Sequence, residues 1–172
     1  MHARFGLRIS RAGVSFKETM TTYKDYPIKF VDVSQYQDDP NTAYFPDLSK
    51  IKAAGFQGIG IRVGYGVTID RAFKRFWQSA RGKLDRLPYF YLDYYSYKKL
   101  GYTDTQWGEI QARYAWDLLK NDTGEFPLYL DVERSSYGGD INWLNQSSVG
   151  RIITAFLTAY DKLSGRQTGI YT

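Results

Sequence analysis

Leu128-Tyr129-Leu130-Asp131-Val132-Glu133 sets two acids into a run whose other residues are apolar or aromatic, the pattern of a buried strand. Successive side chains on a strand point to opposite faces, so Asp131 and Glu133 share a face while Val132 packs behind them. Carboxylates this close raise each other's pKa, which favours keeping one protonated near neutral pH. Acid-catalysed bond cleavage uses that charge state. A solvated strand end feeding a loop would show the same two acids, and the pair alone does not choose between the readings.

Outward from this run, strand-like and helix-like stretches alternate. Upstream, Ile28-Lys29-Phe30-Val31-Asp32-Val33 reads as a strand from its β-branched and aromatic content. Residues 46–54 read as a short helix that Gly55 stops, and Gly58–Val63 as a glycine-punctuated strand carrying Arg62. Gly64-Tyr65-Gly66 reads as a turn and lacks the longer fingerprint of a phosphate cradle. Phe73, Phe76, Trp77 and Ala80 fall at helical spacing within 69–86, with Asp70 as a helix-start cap. A third strand over Pro88–Tyr95 delivers Asp93. Thr103 and Gln106 then form a capping box ahead of a helix marked by Trp107, Ile110, Tyr114, Leu118 and Leu119.

Downstream of Glu133, the Ser/Gly/Asn-rich loop 134–147 is long enough to serve a function. Val149, Ile152, Ile153, Phe156, Leu157, Tyr160 and Leu163 mark a further helix ended by Gly165, and Thr168–Thr172 reads as a last strand. Asp32, Arg62, Asp93, Asp131 and Tyr171 recur at strand ends 30, 31, 38 and 40 residues apart, the rhythm of βαβ units in a parallel sheet. In such α/β folds functional groups gather where the strands end.

Composition narrows the chemistry. A chain of 172 residues suits one domain, read here as 28–172 behind a basic extension over 1–27 that lacks periodicity. There is no cysteine, and the one histidine, His2, lies in that extension, so carboxylates carry any acid–base work and no metal is expected. Residues 1–29 hold a net +4 of the chain's +5. Because the basic residues do not continue into the body, no nucleic-acid partner is expected. No apolar run is long enough for a membrane span, and no signal peptide is evident. Aromatics at 17%, including 16 tyrosines, suit either sugar stacking or a Tyr-rich core.

Several of these segments, taken together and in order, resemble glycoside hydrolase family 25, the lysozymes of phage endolysins and of some bacterial and fungal secreted enzymes. They are Phe30-Val31-Asp32-Val33-Ser34-Gln35-Tyr36-Gln37, Ile61-Arg62-Val63-Gly64-Tyr65-Gly66 with Asp70 and Phe73, Leu130-Asp131-Val132-Glu133, and Gly169-Ile170-Tyr171-Thr172. The resemblance implies an irregular, TIM-like β/α barrel and N-acetylmuramidase activity on bacterial peptidoglycan, without a cofactor. It implies Glu133 as general acid, Asp131 as stabiliser of the oxocarbenium-like transition state, directly or through the substrate's acetamido group, and Asp32 as a third cleft acid. Arg62, Tyr91 and Tyr171 would line the sugar groove, against the plainer readings of a strand-end ion pair and core tyrosines. Asp93 is cleft lining or a salt-bridge partner.

The family continues past Gly-Ile-Tyr-Thr with more strands and another acid, so the chain reads as a truncated gene product, a fragment of a larger lysin or an atypical short member, with the barrel incomplete. Two other readings accompany the enzyme: a cell-wall-binding module that has lost its chemistry, and a phage virion component. Oligomeric state is not legible from the sequence.

Overall fold

A computed structural model of the chain describes residues 27–38, 45–133 and 146–172. The basic extension apart from Pro27, the polar loop around Pro40 and Asn41, and the loop expected over 134–147 lie outside the described residues, except that Gln146 and Ser147 open a helix.

Five parallel strands make one sheet in the order β1 (Phe30–Val33), β2 (Gly58–Tyr65), β4 (Asp85–Tyr91), β5 (Tyr129–Asp131) and β6 (Gly169–Tyr171). A two-residue strand, β3 (Thr68–Ile69), folds back antiparallel onto the end of β2. Each parallel neighbour is also the next parallel strand in sequence, the singly wound order of a β/α barrel, and β1 and β6 are its outer strands. Among the described residues the expected barrel is therefore an open sheet. Five parallel strands are too few to close a regular eight-stranded barrel.

The helices are α1 (Leu48–Ala53), α2 (Phe73–Ala80), α3 (Tyr97–Leu100), α4 (Asp104–Leu119) and α5 (Gln146–Ser164). Local chemistry sets their ends. Asp47 accepts from the Ser49 and Lys50 amides at the start of α1, and Thr103 and Gln106 form the expected capping box on α4. Gly165, with φ +67°, follows α5. No described helix is long and apolar enough to cross a membrane.

Alternation along the strands sorts the two faces of the sheet. Ile59, Ile61, Val63, Phe90, Leu92 and Leu130 are fully buried in the core with Phe76, Trp107, Ile152 and Phe156 from the helices. Where α4 crosses α5, Gly108 permits the approach: a Cβ there would lie 2.4 Å from the Ile152 carbonyl oxygen. The other face carries Asp32, Arg62, Tyr89, Tyr91, Asp131 and Tyr171.

Three boundaries differ from the sequence reading. Gly64 and Tyr65 continue β2 instead of turning, because β3 lies against them; a Cβ on Gly64 would meet the Thr68 carbonyl oxygen at 2.4 Å. The helix expected within 69–86 is confined to α2. Strand β4 starts at Asp85, with Arg86 buried inside it. Arg86 tolerates burial because it pairs with Asp122 at 2.7 Å and Glu125 at 2.8 Å while its Cζ lies 4.6 Å from the Trp77 ring centroid. Trp77 Nε1 also donates to Asp122, and Arg81 pairs with the same carboxylate. This knot fastens the α4–β5 connection to the start of β4, the end of the sheet remote from the expected site.

Candidate active site

Strand register assembles the site. Tyr65, Tyr91, Asp131 and Tyr171 stand side by side across β2, β4, β5 and β6, and Arg62, Tyr89, Tyr129 and Gly169 form the row below. Asp32 lies opposite Gly60 on β2, two residues before Arg62. Asp131 closes β5 and is only 6% exposed, while Glu133, two residues on, is exposed. The Val132 amide donates to the Tyr171 carbonyl at 2.9 Å and so carries the sheet's bonding beyond the strand.

The electrostatics bring together four of the expected residues. The Asp131 carboxyl is pushed up to about 8, first by burial, then by the charge of Glu133 and further by Asp32, with Arg62 opposing. The sequence reading placed the cause in mutual repulsion of the acids; desolvation comes first, because Asp131 is enclosed and Glu133 is not. Asp131 thus holds a proton at neutral pH. Its Oδ1 is buried without a hydrogen-bond partner among the described residues, and so is one terminal nitrogen of Arg62, Nη2.

Arg62 is held from behind. Its Nε donates to Asp70 at 2.7 Å, and Asp70 also accepts from the Gln35 amide at 3.0 Å and the Ala72 amide at 2.9 Å. Burial by itself would lower the Arg62 pKa, but the Asp70 contact outweighs it and the net direction is upward. Asp70 therefore caps the turn before α2, as its sequence position implies, and also joins three segments. The ion pair read as the plainer role of Arg62 is present, and it leaves Nη2 buried without a hydrogen-bond partner among the described residues.

Tyr91 and Tyr171 flank Asp131 in register, on the face away from the helices. Asp93 is tied to its own turn: its Oδ1 accepts from the Tyr95 and Ser96 amides at 3.0 Å each and shapes the turn after β4. Tyr89 was not singled out from the sequence, although alternation in Pro88-Tyr89-Phe90-Tyr91 puts it on the face of Tyr91. Its hydroxyl donates to the Val33 carbonyl at 3.3 Å, and burial, then the nearby carboxylates against Arg62, hold its pKa above the ordinary tyrosine range. A groove between α4 and α5, bordered by Glu109, Arg113, Arg151 and Lys162, lies on the helical layer and not among these acids.

This arrangement can place an enclosed, protonated carboxyl, a solvent-facing carboxylate and a guanidinium on one polar, tyrosine-rich surface. Such a surface suits polar ligands with ring faces, and the acid pair can manage one proton between them.

No protein-family model and no curated protein matches the sequence. Solved structures do match the fold. The muramidase from Trichobolus zukalii aligns with a TM-score of 0.62 at 24% identity over 83% of this chain and 63% of its own. The muramidase from Acremonium alcalophilum gives 0.64 at 24% identity over 84% and 65%, and the family GH25 lysozyme from Aspergillus fumigatus 0.64 at 23% over 83% and 63%. The chain thus spans a little under two thirds of the length of these proteins. Over most of its own length, it carries the fold of the glycoside hydrolase family 25 lysozymes.

Proposed function

We propose that the chain is a peptidoglycan hydrolase that cleaves the β-1,4 bond between N-acetylmuramic acid and N-acetylglucosamine. The observation that carries this reading is the enclosed Asp131 carboxyl, protonated at neutral pH and lacking a described partner for Oδ1, beside the exposed Glu133 and the unpartnered Nη2 of Arg62. Buried polar atoms are ordinarily paired, so two orphans on one face mark a place where a ligand's polar groups belong. The fold shared with muramidases supports the same substrate class.

In this proposal Glu133, facing solvent, protonates the leaving glycosidic oxygen. Asp131 and Asp32 stabilise positive charge developing at the sugar ring, Asp131 directly or through the acetamido group. In the empty site Asp131 holds the pair's proton; for turnover that proton passes to Glu133, which delivers it to the leaving oxygen, and Asp131 is left ionised beside the developing positive charge. Arg62, Tyr91 and Tyr171 line the groove.

Digestion of purified peptidoglycan followed by mass spectrometry tests the assignment. Products ending in reducing muramic acid are expected, and Glu133→Gln is expected to lower the rate by about 10²- to 10⁴-fold while leaving the fold intact. Full activity in a folded Glu133→Gln variant would remove the assignment. Co-sedimentation with cell walls without release of reducing sugar at any pH would replace it with a binding module.

A further inference from the structure

We infer that Tyr36 is a substrate-contact residue, a stacking platform for a sugar ring at the rim of the proposed glycan groove. The inference rests on the reading of the site given above and adds a residue to it. Tyr36 is 71% exposed, unusually open for a large aromatic side chain and the most exposed large hydrophobic residue among those described. It nonetheless stands on a fixed support. Ser34 and Gln37 form a capping box around the single helical turn Gln35–Gln37, with the Ser34 amide donating to Gln37 Oε1 at 2.8 Å.

Two neighbouring residues then clamp this turn from the β3–α2 segment. Asp70 accepts from the Gln35 amide at 3.0 Å, and Arg71 Nη2 donates to the Gln35 carbonyl at 2.7 Å. Both polar groups of that peptide segment are therefore engaged, so the ring is presented with little backbone freedom. Arg75 binds Asp38 at 2.6 Å just past the turn.

The direction in which the ring is presented matters as much as its exposure. Arg62 Cζ lies 5.2 Å from the Tyr36 ring centroid, and the same guanidinium acts electrostatically on Asp131 and Tyr89. Arg62 thereby links the rim to the acids: it underlies Tyr36 and reaches the face that carries Asp131. An aromatic ring supported on one side by a cation and open on the other offers a flat apolar surface, which matches the C–H-rich face of a pyranose. The immobilised turn means that little ordering is left to be done on binding. A tyrosine serving the core would be covered, and one serving only Arg62 would need no such exposure.

Steady-state hydrolysis of purified peptidoglycan by the chain, Tyr36→Ala and Tyr36→Trp tests the inference. Tyr36→Ala is expected to raise KM by roughly 3- to 10-fold, the size of an aromatic stacking contact, with kcat nearly unchanged because the platform binds ground and transition states alike. Tyr36→Trp, which restores a ring, is expected to keep KM near that of the unmodified chain. An unchanged KM in Tyr36→Ala, or a fall in kcat alone, would overturn the stacking role while leaving the hydrolase reading in place. Absence of both hydrolysis and wall binding in the unmodified chain would overturn the two together.

Discussion

Asp131→Asn should abolish a pH dependence of stability that the fold creates. The folded carboxyl is raised from the ordinary 3.8 to about 8, so the native state holds a proton that the unfolded chain releases from about pH 4 upward. Stability is therefore full below that range, declines as pH rises toward 8, and is level above. The slope is about 1.4 kcal/mol per pH unit where only the unfolded chain has lost its proton. Between pH 5 and pH 8 this gives roughly 3–4 kcal/mol; screening of the exposed Glu133 lowers the expectation to about 2–4 kcal/mol. With a urea dependence of about 2 kcal/mol per molar, the midpoint should fall by about 1–2 M across that interval.

Urea unfolding of the chain and of Asp131→Asn at pH 5 and pH 8 isolates the effect, because both proteins share every other titrating group. The unmodified chain should lose about 1–2 M more in midpoint than the variant. Equal pH dependence in the two, within about 0.3 M, would refute the argument that burial holds the proton on residue 131.

Two further stability measurements bear on how Arg62 and the helical layer are held. Asp70→Asn should cost about 3–5 kcal/mol in urea unfolding, since it leaves Arg62 enclosed without its counter-charge; a loss under about 1 kcal/mol would show that Arg62 is supported by something else. Gly108→Ala should destabilise by roughly 1–3 kcal/mol, despite alanine's better helix propensity, because the added methyl group meets backbone of α5. Gly150→Ala, with open space around it, serves as the control and should stabilise by about 0.5–1 kcal/mol; the same sign at both positions would contradict the packing described between α4 and α5.

The parts of this structure that were legible in the sequence are those written in local chemistry. Alternation at Asp131, the capping box at Thr103 and the glycine after α5 each depend on residues within a few positions of one another. What escaped depends on partners far along the chain. Arg86 looks misplaced inside a strand until Asp122 and Glu125, 36 and 39 residues later, fold onto it. Strand β3 is too short to show a period, and only its partner reveals it. Asp70 reads as a cap because its amide neighbour is two residues away, whereas its bond to Gln35 spans 35 residues. The enclosure of Asp131 likewise belongs to the assembled sheet, which is why repulsion between the acids was anticipated and desolvation was not.

Two glycines of the sheet, Gly58 on β2 and Gly169 on β6, have a bearing on how such a chain can vary. A Cβ on Gly58 would fall 2.0 Å from the Phe30 ring, and one on Gly169 2.6 Å from the Tyr129 ring. Each aromatic ring occupies the volume that its neighbour gives up. Enlarging either glycine is harmful unless position 30 or 129 shrinks in the same lineage, and shrinking the ring first opens a void. These pairs should consequently exchange in concert, as compensating double substitutions with poorly tolerated single intermediates.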